Sequence, residues 1–403
     1  MKSCWAGLNT SVVAAFMLVG SCVSSPATTY LVTDDDGGDF QNIQSAIDAV
    51  NEGDTLLIAR GTYYGDGNWE LDLAGKNLVF VSQEGLESVV LRGRYDDWHR
   101  VVHLHSGEDD RTVFDGIMFH IGGHENYDDV GGLVYLDGAS PVFRNCIFSA
   151  GFASDGGALY CVDSNVQLID CWFRNGVTGR GSSVYADGGA PSLINCFVDK
   201  GHAGDSGGAF YFSSAAFEMT GCFVRRSSSV GHGGALVAMD CVGARIEGCT
   251  FQSSEAHTGA DLCLLGASEV DVTACSFVEG RAEAEGASVY CGELSNVGFE
   301  RCIFAFTHDV EPFECDGTVS FRNCISYGNA AGDSLCGSYS DNLFVDPRFC
   351  DSWGSDYGLC ANSPALPANN PWNELIGAWG ENCGDCYTPV TPVSWGSIKA
   401  LFR

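Results

Sequence analysis

The stretch GGALYCVDSNVQLIDCWFRNGVTGRGSSVYADGGAPSLINCFV at 156–198 contains the same two elements twice, 25 residues apart. One element is glycine-rich and ends in an aliphatic residue and tyrosine. The other is a turn residue, a cysteine, any residue and an apolar residue. The cysteine element occurs eight times, at Cys146, Cys171, Cys196, Cys222, Cys249, Cys275, Cys302 and Cys324. A fixed period of strand-like runs indicates stacked identical units.

The pattern inside each unit selects the architecture. No unit has the long apolar face of a helix; each has three short alternating runs separated by Gly, Asn or Asp, which fits one coil of three strands. In six of eight units the residue before the cysteine is Asn, Asp or Gly, which tolerate left-handed backbone angles. We therefore predict an all-β protein, a right-handed parallel β-helix (solenoid) of about ten coils between residues 55 and 330.

The segments outside the repeats suggest how the solenoid begins and ends. Apolar residues at helical spacing predict an amphipathic helix over 39–50, capped by Asp39, that covers the first coil. The predicted organisation is a signal peptide over 1–25, an N-terminal cap over 30–54, the β-helix over 55–345, a C-terminal cap with disulfides over 346–386, and a tail over 387–403. The tail is either a sorting or anchoring signal or a frayed terminus.

The leader and the composition indicate export from a bacterial cell. A short apolar core follows Lys2, and Val19-Gly20-Ser21-Cys22 resembles a lipobox, which would make Cys22 the site of lipidation. Cleavage by ordinary signal peptidase near residues 24–27 is the alternative. Twenty cysteines suit an oxidising compartment. The net charge of −32 argues against nucleic acid as a partner and is compatible either with Ca²⁺ or simply with solubility.

The repeats and the entry segment also resemble known families. The GGA-[ILV] element resembles the repeats of polymorphic outer membrane proteins, and residues 30–345 resemble right-handed β-helix proteins of the pectin-lyase-like type. In pectate-lyase-like proteins the corresponding sheet lines the polysaccharide groove, which implies the same here. The motifs of polygalacturonases and pectinesterases are missing, although Gly231-His232-Gly233 matches one fragment. One fold hosts many activities, so the resemblance is specific for fold and weak for function.

Alternation along the glycine-rich element assigns the direction of its side chains. The position two residues after the first glycine is predicted to point outward, and the next one inward. The position after that points outward and carries the predicted ligand-binding residues Tyr135, Tyr160, Tyr185 and Tyr211. Such a row could bind sugar rings, or the rings could stack on each other and only cover the sheet.

Two sets of polar residues are candidates for chemistry. Asp137 and Asp187 share one outward position two coils apart, about 9.6 Å, near the upper limit for an inverting glycosidase pair. A Ca²⁺ site or an accidental pair are the alternatives. His103 and His105 share a strand face and His120 follows on the next coil, which could form a transition-metal site or three solvated histidines.

The cysteines fall into an inner ladder and several candidate pairs. The eight repeated cysteines could act as small buried hydrophobes, form disulfides between coils, or hold metal. Cys263 and Cys291 lie on consecutive coils and are a candidate disulfide. Cys350 could pair with Cys360, and Cys383 with Cys386, the latter two being alternatively half a metal site.

These observations predict an exported surface or secreted protein that binds carbohydrate or another surface without catalysis. A polysaccharide lyase or glycoside hydrolase acting on the tyrosine face, with Asp137 and Asp187 as its acids, is the first alternative. A structural stalk or envelope protein is the second. No cofactor is expected, with Ca²⁺ left open. The expected partner is a polysaccharide or cell-surface ligand, and membrane contact is expected only through a lipid anchor or the tail.

Overall fold

A computed structural model describes residues 27–94, 99–123, 130–352 and 356–386. These residues form a right-handed parallel β-helix of about 13 turns, which confirms the predicted fold. The predicted count of about ten coils is slightly lower because it covered residues 55–330, whereas sheet 1 also has the strands Thr29–Val32 and Ser338–Ser340 outside that range. The predicted signal peptide, Cys22 and the tail lie outside the described residues.

Three parallel sheets run the length of the solenoid. Sheet 1 has 13 strands: Thr29–Val32, Thr55–Ile58, Val79–Ser82, Val113–Asp115, Val142–Arg144, Gln167–Ile169, Ser192–Ile194, Glu218–Thr220, Val242–Glu247, Glu269–Thr273, Asn296–Glu300, Thr318–Arg322 and Ser338–Ser340. Sheet 2 has 16 strands: Gly61–Tyr63, Val89–Arg92, Ile117–Gly123, Ile147–Asp155, Trp172–Arg174, Val177–Arg180, Phe197–Asp199, His202–Ser206, Phe223–Arg225, Ser228–Ser229, Thr250–Gln252, Glu255–Thr258, Ser276–Val278, Arg281–Glu285, Ile303–Ala305 and Ile325–Tyr327. Sheet 3 has nine strands: Val102–Leu104, Val134–Asp137, Leu159–Val162, Val184–Asp187, Phe210–Ser213, Leu236–Met239, Leu262–Leu265, Val289–Cys291 and Phe313–Cys315.

The N-terminal helix, α1, spans Ile43–Ala49 and is shorter than predicted. Its cap is Asn42, whose side chain accepts a hydrogen bond from the Ser45 amide. The prediction that Asp39 caps the helix was wrong, because the Asp39 carboxylate accepts instead from the Leu31 amide on the first strand of sheet 1. The buried face of α1 packs into the main core.

The bend between sheets 1 and 2 has the same backbone conformation in every cysteine repeat. All eight bend residues have positive φ, between 51° and 64°: Asn145, Asp170, Asn195, Gly221, Gly248, Ala274, Arg301 and Asn323. The left-handed conformation predicted for the Asn, Asp and Gly residues is therefore also adopted by Ala274 and Arg301, although their side chains disfavour it. The rest of the coil, more than the bend residue itself, therefore determines the backbone conformation at the bend.

The residues after each bend form the core. The eight ladder cysteines are buried and free, so the disulfide alternative for this ladder was wrong. Each thiol lies near backbone carbonyls at the bend; Cys146 Sγ is 3.3 Å from the Phe114 and Arg144 oxygens. Beside the ladder, Phe148 stacks between Phe119 and Phe173 with centroid distances of 5.0 and 4.9 Å. Coil-to-coil repetition thus produces stacks of identical side chains.

One predicted direction was wrong. The residues two positions after the first glycine of each repeat are buried and do not point to solvent: Leu133, Ala158, Ser183, Ala209, Ala235, Asp261 and Ser288. They precede the strands of sheet 3 and lie at the corner where the chain leaves sheet 2. Strict alternation applies within a strand and fails at such a corner.

The C-terminal segment folds back as a small sheet of Phe349–Asp351, Asp356–Cys360 and Glu381–Cys383, with a short 3-10 helix at Pro367–Asn369. Disulfides join Cys350 to Cys383 and Cys360 to Cys386, so both predicted local pairings were wrong. The strands bring together cysteines that are distant in sequence. Within the described ranges, no helix is long and apolar enough to cross a bilayer.

A third disulfide, Cys315–Cys336, was not anticipated. The predicted pair Cys263–Cys291 does not form. In the register of sheet 3, Cys263 lies opposite Tyr290, so Cys291 is one position further and points to the opposite face.

Candidate functional site

The tyrosine row lies on the outer face of sheet 3, where the strand register aligns its members. Ring centroids are 5.6 Å apart between Tyr135 and Tyr160, 4.9 Å between Tyr160 and Tyr185, and 5.1 Å between Tyr185 and Tyr211. The last two pairs are nearly parallel, at 11° and 1°. Each of these rings therefore turns its faces to its neighbours and leaves its edge for a ligand.

Exposure changes along the row. Tyr135 and Tyr160 are half-buried, whereas Tyr185 and Tyr211 are only 6% and 7% exposed. Tyr185 and Tyr211 belong to a satellite cluster that continues through Val237 and Cys263. The four predicted ligand-binding tyrosines thus divide into an accessible half and a covered half.

Arg180 covers the second half. Its guanidinium carbon lies 5.0 Å from the centroid of Tyr185 and 5.2 Å from that of Tyr211. Two hydrogen bonds of 2.7 and 2.8 Å join it to the Asp155 carboxylate. This bidentate pair raises the pKa of Arg180, and burial raises the pKa of Tyr185. At neutral pH the arginine stays charged and the tyrosine stays protonated.

The accessible half has its own arginine and a histidine. The Arg100 guanidinium lies 5.2 Å from the centroid of Tyr135, and the His103 ring stacks on Tyr135 at 4.8 Å. His105 extends the row, with its ring 4.5 Å from that of His103. Burial, followed by the charges of Arg100 and His105, lowers the pKa of His103. The His103 imidazole is therefore neutral at physiological pH and can accept as well as donate.

The third predicted metal ligand lies elsewhere. His120 belongs to the strand Ile117–Gly123 of sheet 2, whereas His103 and the adjacent His105 lie on sheet 3. His105 approaches the Asp72 carboxylate at 3.5 Å. Burial lowers the pKa of His120. The described geometry does not bring the three imidazoles together.

Asp137 and Asp187 occupy the positions expected for them. In the register of sheet 3 both lie opposite Val162, from its two sides, and both are exposed. Two strand steps separate them by about 9.6 Å. They lie beside the tyrosine row, two residues after Tyr135 and Tyr185 respectively, on the same face.

Arg180 was the residue that repeat analysis missed. It directly precedes the glycine of its repeat, where the other repeats carry Val130, Asp155, Ser206, His232, Thr258 and Glu285. An arginine in a column that holds none elsewhere is the signal that could have identified it. The local sequence offers no hint that the side chain reaches two tyrosines on later strands.

Comparisons with known proteins support the fold. The structure titled "Crystal structure of pectate lyase Pel9A" matches with a TM-score of 0.56 and 15% identity, covering 89% of this chain and 97% of that one. A pectin methylesterase from carrot matches with a TM-score of 0.36 and 12% identity, over 80% and 90%. No family model and no curated protein matches the sequence. The match to the pectate lyase structure shows that the chain has the pectin-lyase-like β-helix fold.

Proposed function

We propose that the protein is exported and binds polysaccharide, without cleaving it, along the outer face of sheet 3. The observation that carries the proposal is the accessible half of the tyrosine row. Arg100 lies over Tyr135, Tyr160 stacks on the Tyr185 ring that Arg180 covers, and His103 continues the row beyond Tyr135. A rigid row that combines aromatic edges, donors and acceptors suits a ligand with many hydroxyl groups.

The charge states of the tyrosine row suit binding. Burial raises the pKa values of Tyr135 and Tyr160, so their hydroxyls remain donors. The Asp155 pair keeps Arg180 protonated. These groups therefore orient a ligand and do not supply the proton acceptor that a lyase or hydrolase needs. The neutral His103 imidazole on this face can accept a proton, so cleavage products are measured as well as binding.

The disulfides bear on where this binding takes place. Three disulfides join six cysteines, and such bonds persist in oxidising compartments. This supports a location outside the cytoplasm, at the surface of a bacterium or in its medium. The proposal includes binding of Ca²⁺ by the exposed carboxylates of Asp137 and Asp187, but polysaccharide binding does not depend on it.

The test compares a double change in the accessible half of the row with a single change elsewhere in the same column. Affinity electrophoresis in gels containing acidic or neutral polysaccharides measures retardation of the wild type, the double variant Tyr135→Phe with Tyr160→Phe, and Tyr290→Phe. We expect the double variant to lose about tenfold in affinity, equivalent to about 1.4 kcal/mol. Tyr290 lies in the same column beyond the covered cluster, so its variant should bind like the wild type. Equal binding by all three proteins would contradict the proposal.

A polysaccharide lyase or glycoside hydrolase is the second candidate, favoured by the shared register and exposure of Asp137 and Asp187. Release of unsaturated ends or new reducing ends from the same polysaccharides, abolished in Asp187→Ala, would establish it. Binding without products supports the first proposal. Neither binding nor products would leave the structural stalk or envelope protein.

A further inference from the structure

A cleft of about 470 Å³ lies on a different face of the molecule, between sheet 2 and the C-terminal sheet. Its floor is formed by Phe197 and Phe223 of sheet 2, and Trp379 closes one side. The opposite rim carries Asp356, Glu381 and Asn382 from the C-terminal sheet. None of these residues belongs to the tyrosine row.

The floor is part of an aromatic column, defined as Trp172, Phe197 and Phe223, which occupies one outward position on three consecutive coils. The rings of Trp172 and Phe197 are 5.4 Å apart, and those of Phe197 and Phe223 are 5.6 Å apart at 11°. Trp172 is 47% exposed. Large aromatic rings exposed in a row are costly in water and commonly mark a binding surface.

The next residues of the same column are small and polar, and the chain itself covers them. Thr250 and Ser276 follow Phe223 in the register. Residues 376–379, here called the strap, lie across them. Trp379 Nε1 donates to Thr250 Oγ1 at 2.8 Å, and the Ala378 amide donates to Ser276 Oγ at 3.1 Å. The covered part of the column is thus polar and paired, whereas the open part is aromatic.

The cleft is pre-organised. The hydrogen bond to Thr250 fixes Trp379, whose ring meets Phe223 edge-on at 6.3 Å and 75° and is still 45% exposed. The disulfide Cys360–Cys386 joins the strand of Asp356 to the segment just after the strand of Glu381, and Cys350–Cys383 joins the strand of Glu381 to the third strand of this sheet. Asn382 Nδ2 is 3.2 Å from both carboxylate oxygens of Asp356. A site held in this way loses little entropy when a ligand binds.

The polar groups of the rim define the ligand chemistry. Two carboxylates and an amide accept hydrogen bonds from hydroxyl groups, and aromatic rings pack against the apolar face of a sugar. A uronate or phosphate would meet the like charges of Asp356 and Glu381. A second copy of this chain would bring the same carboxylates and a net charge of −32 to the interface. The Arg225 guanidinium lies 4.9 Å from the Phe197 centroid, but it donates two hydrogen bonds to the Asp199 carboxylate, so the charge that remains at the rim is negative and favours an uncharged, hydroxyl-rich ligand.

We propose that this cleft is a second carbohydrate site, specific for neutral glycan chains, which stack on the aromatic column and Trp379. The proposal is independent of the tyrosine face, because the two sites share no residue and lie on different sheets. It assigns a role to the exposed tryptophans Trp172 and Trp379.

The full chain is titrated with a β-1,4-linked glucose hexamer, a β-1,4-linked mannose hexamer and a galacturonate hexamer, by calorimetry and tryptophan fluorescence. We expect at least one neutral hexamer to bind and the galacturonate hexamer not to bind at this cleft. Trp172→Ala and Trp379→Ala should each weaken neutral binding about tenfold, or about 1.4 kcal/mol. Tyr339→Ala, which removes a 62% exposed ring from sheet 1, is the matched control and should leave affinity unchanged.

A charge reversal guards against misfolding of the Trp379 variant. Glu381 is exposed, so Glu381→Lys should fold normally, weaken neutral binding by a smaller factor and permit binding of the galacturonate hexamer.

Several outcomes would overturn the proposal: no neutral hexamer binds, tryptophan and Tyr339 variants behave alike, or Glu381→Lys changes the affinity for neither hexamer. Two others would assign the cleft to another occupant: self-association lost in Trp379→Ala, or tighter binding of a synthetic peptide of residues 387–403. Tyr135 and Tyr160 remain intact throughout, so failure here is distinguishable from failure of the first proposal.

Discussion

Two columns of this solenoid repeat with the same period but differ in how uniform they are. The column after each bend holds cysteine in all eight repeats, and every member is buried. The outward column of sheet 3 begins at His103, continues through four tyrosines, and then holds Val237, Cys263, Tyr290 and Glu314. Residues of the inner column have the same surroundings in every coil. Residues of the outer column have different neighbours from coil to coil. The residues that break the outer repeat are therefore the more informative about function.

The largest effect should come from the inner side. Phe148→Ala removes a ring that is 1% exposed and stacked on both sides. We expect a loss of about 3–5 kcal/mol in the free energy of unfolding, because the flanking coils cannot collapse into the cavity. Urea denaturation checks this. Phe344→Ala, at a ring 51% exposed, should cost far less. A similar loss in both variants would show that the stack is not what holds the coils together.

Asp261 is an ionisable residue on the otherwise mostly apolar inner side of the solenoid. It is fully buried, with Ser288 Oγ donating to its carboxylate at 2.7 Å, and burial raises its pKa to about 8. The unfolded state ionises near pH 4 and the folded state near pH 8, so stability falls as pH rises through this window. We expect Asp261→Asn to remove this loss of stability, which amounts to several kcal/mol between pH 4 and 8.

Thermal unfolding at several pH values measures the effect. Asp271→Asn, at an exposed carboxylate of sheet 1, is the control and should follow the wild type. Parallel curves for the wild type and Asp261→Asn would mean that Asp261 is already ionised in the folded protein.

Arg180 separates the covered from the accessible half of the outer column. Arg180→Leu would expose Tyr185 and Tyr211 and leave the Asp155 carboxylate without its two hydrogen bonds. We expect a loss of about 1–3 kcal/mol in unfolding free energy. Arg144→Leu breaks an Arg–Asp pair that carries no aromatic contact in the described residues and should cost less, about 0.2–1 kcal/mol. Chemical denaturation of both variants measures the two losses in unfolding free energy. A larger loss for Arg180→Leu would show that covering the tyrosine rings adds stability beyond that of the ion pair.

The smallest effect tests the bend itself. Ala274 has φ of 51°, a conformation that costs an alanine about 1–2 kcal/mol and a glycine almost nothing. Because glycine also loses more backbone entropy, Ala274→Gly should stabilise the protein by only about 0.5–1 kcal/mol. Asn195→Gly, at a bend residue that already tolerates φ of 52°, should change stability little. Destabilisation by Ala274→Gly would indicate that its methyl group packs usefully.

The sequence predicted those features that repeat from coil to coil. The period, the bends and the buried cysteines follow from local pattern, because each coil imposes the same backbone on the same residue. The corner residues such as Asp261 were misassigned because alternation stops where the strand stops. Arg180, Trp379 and the crossed disulfides of the C-terminal sheet depend on contacts between distant segments. No local pattern encodes such contacts, so the cleft and the covering of the tyrosines needed the structure.

The strap changes how the solenoid can unfold. Coils bond mainly to their immediate neighbours, about 22–30 residues away, so the array could open from its C-terminal end one coil at a time. Two hydrogen bonds of the strap join residues 102 and 129 positions apart, and the Gly377 amide also donates to the Arg301 carbonyl, so the strap ties three coils together. Fraying at this end must break these long-range bonds before the last coil can leave. The strap thus makes the final coils unfold cooperatively. Because its contacts join residues distant in sequence, they are expected to form late in folding.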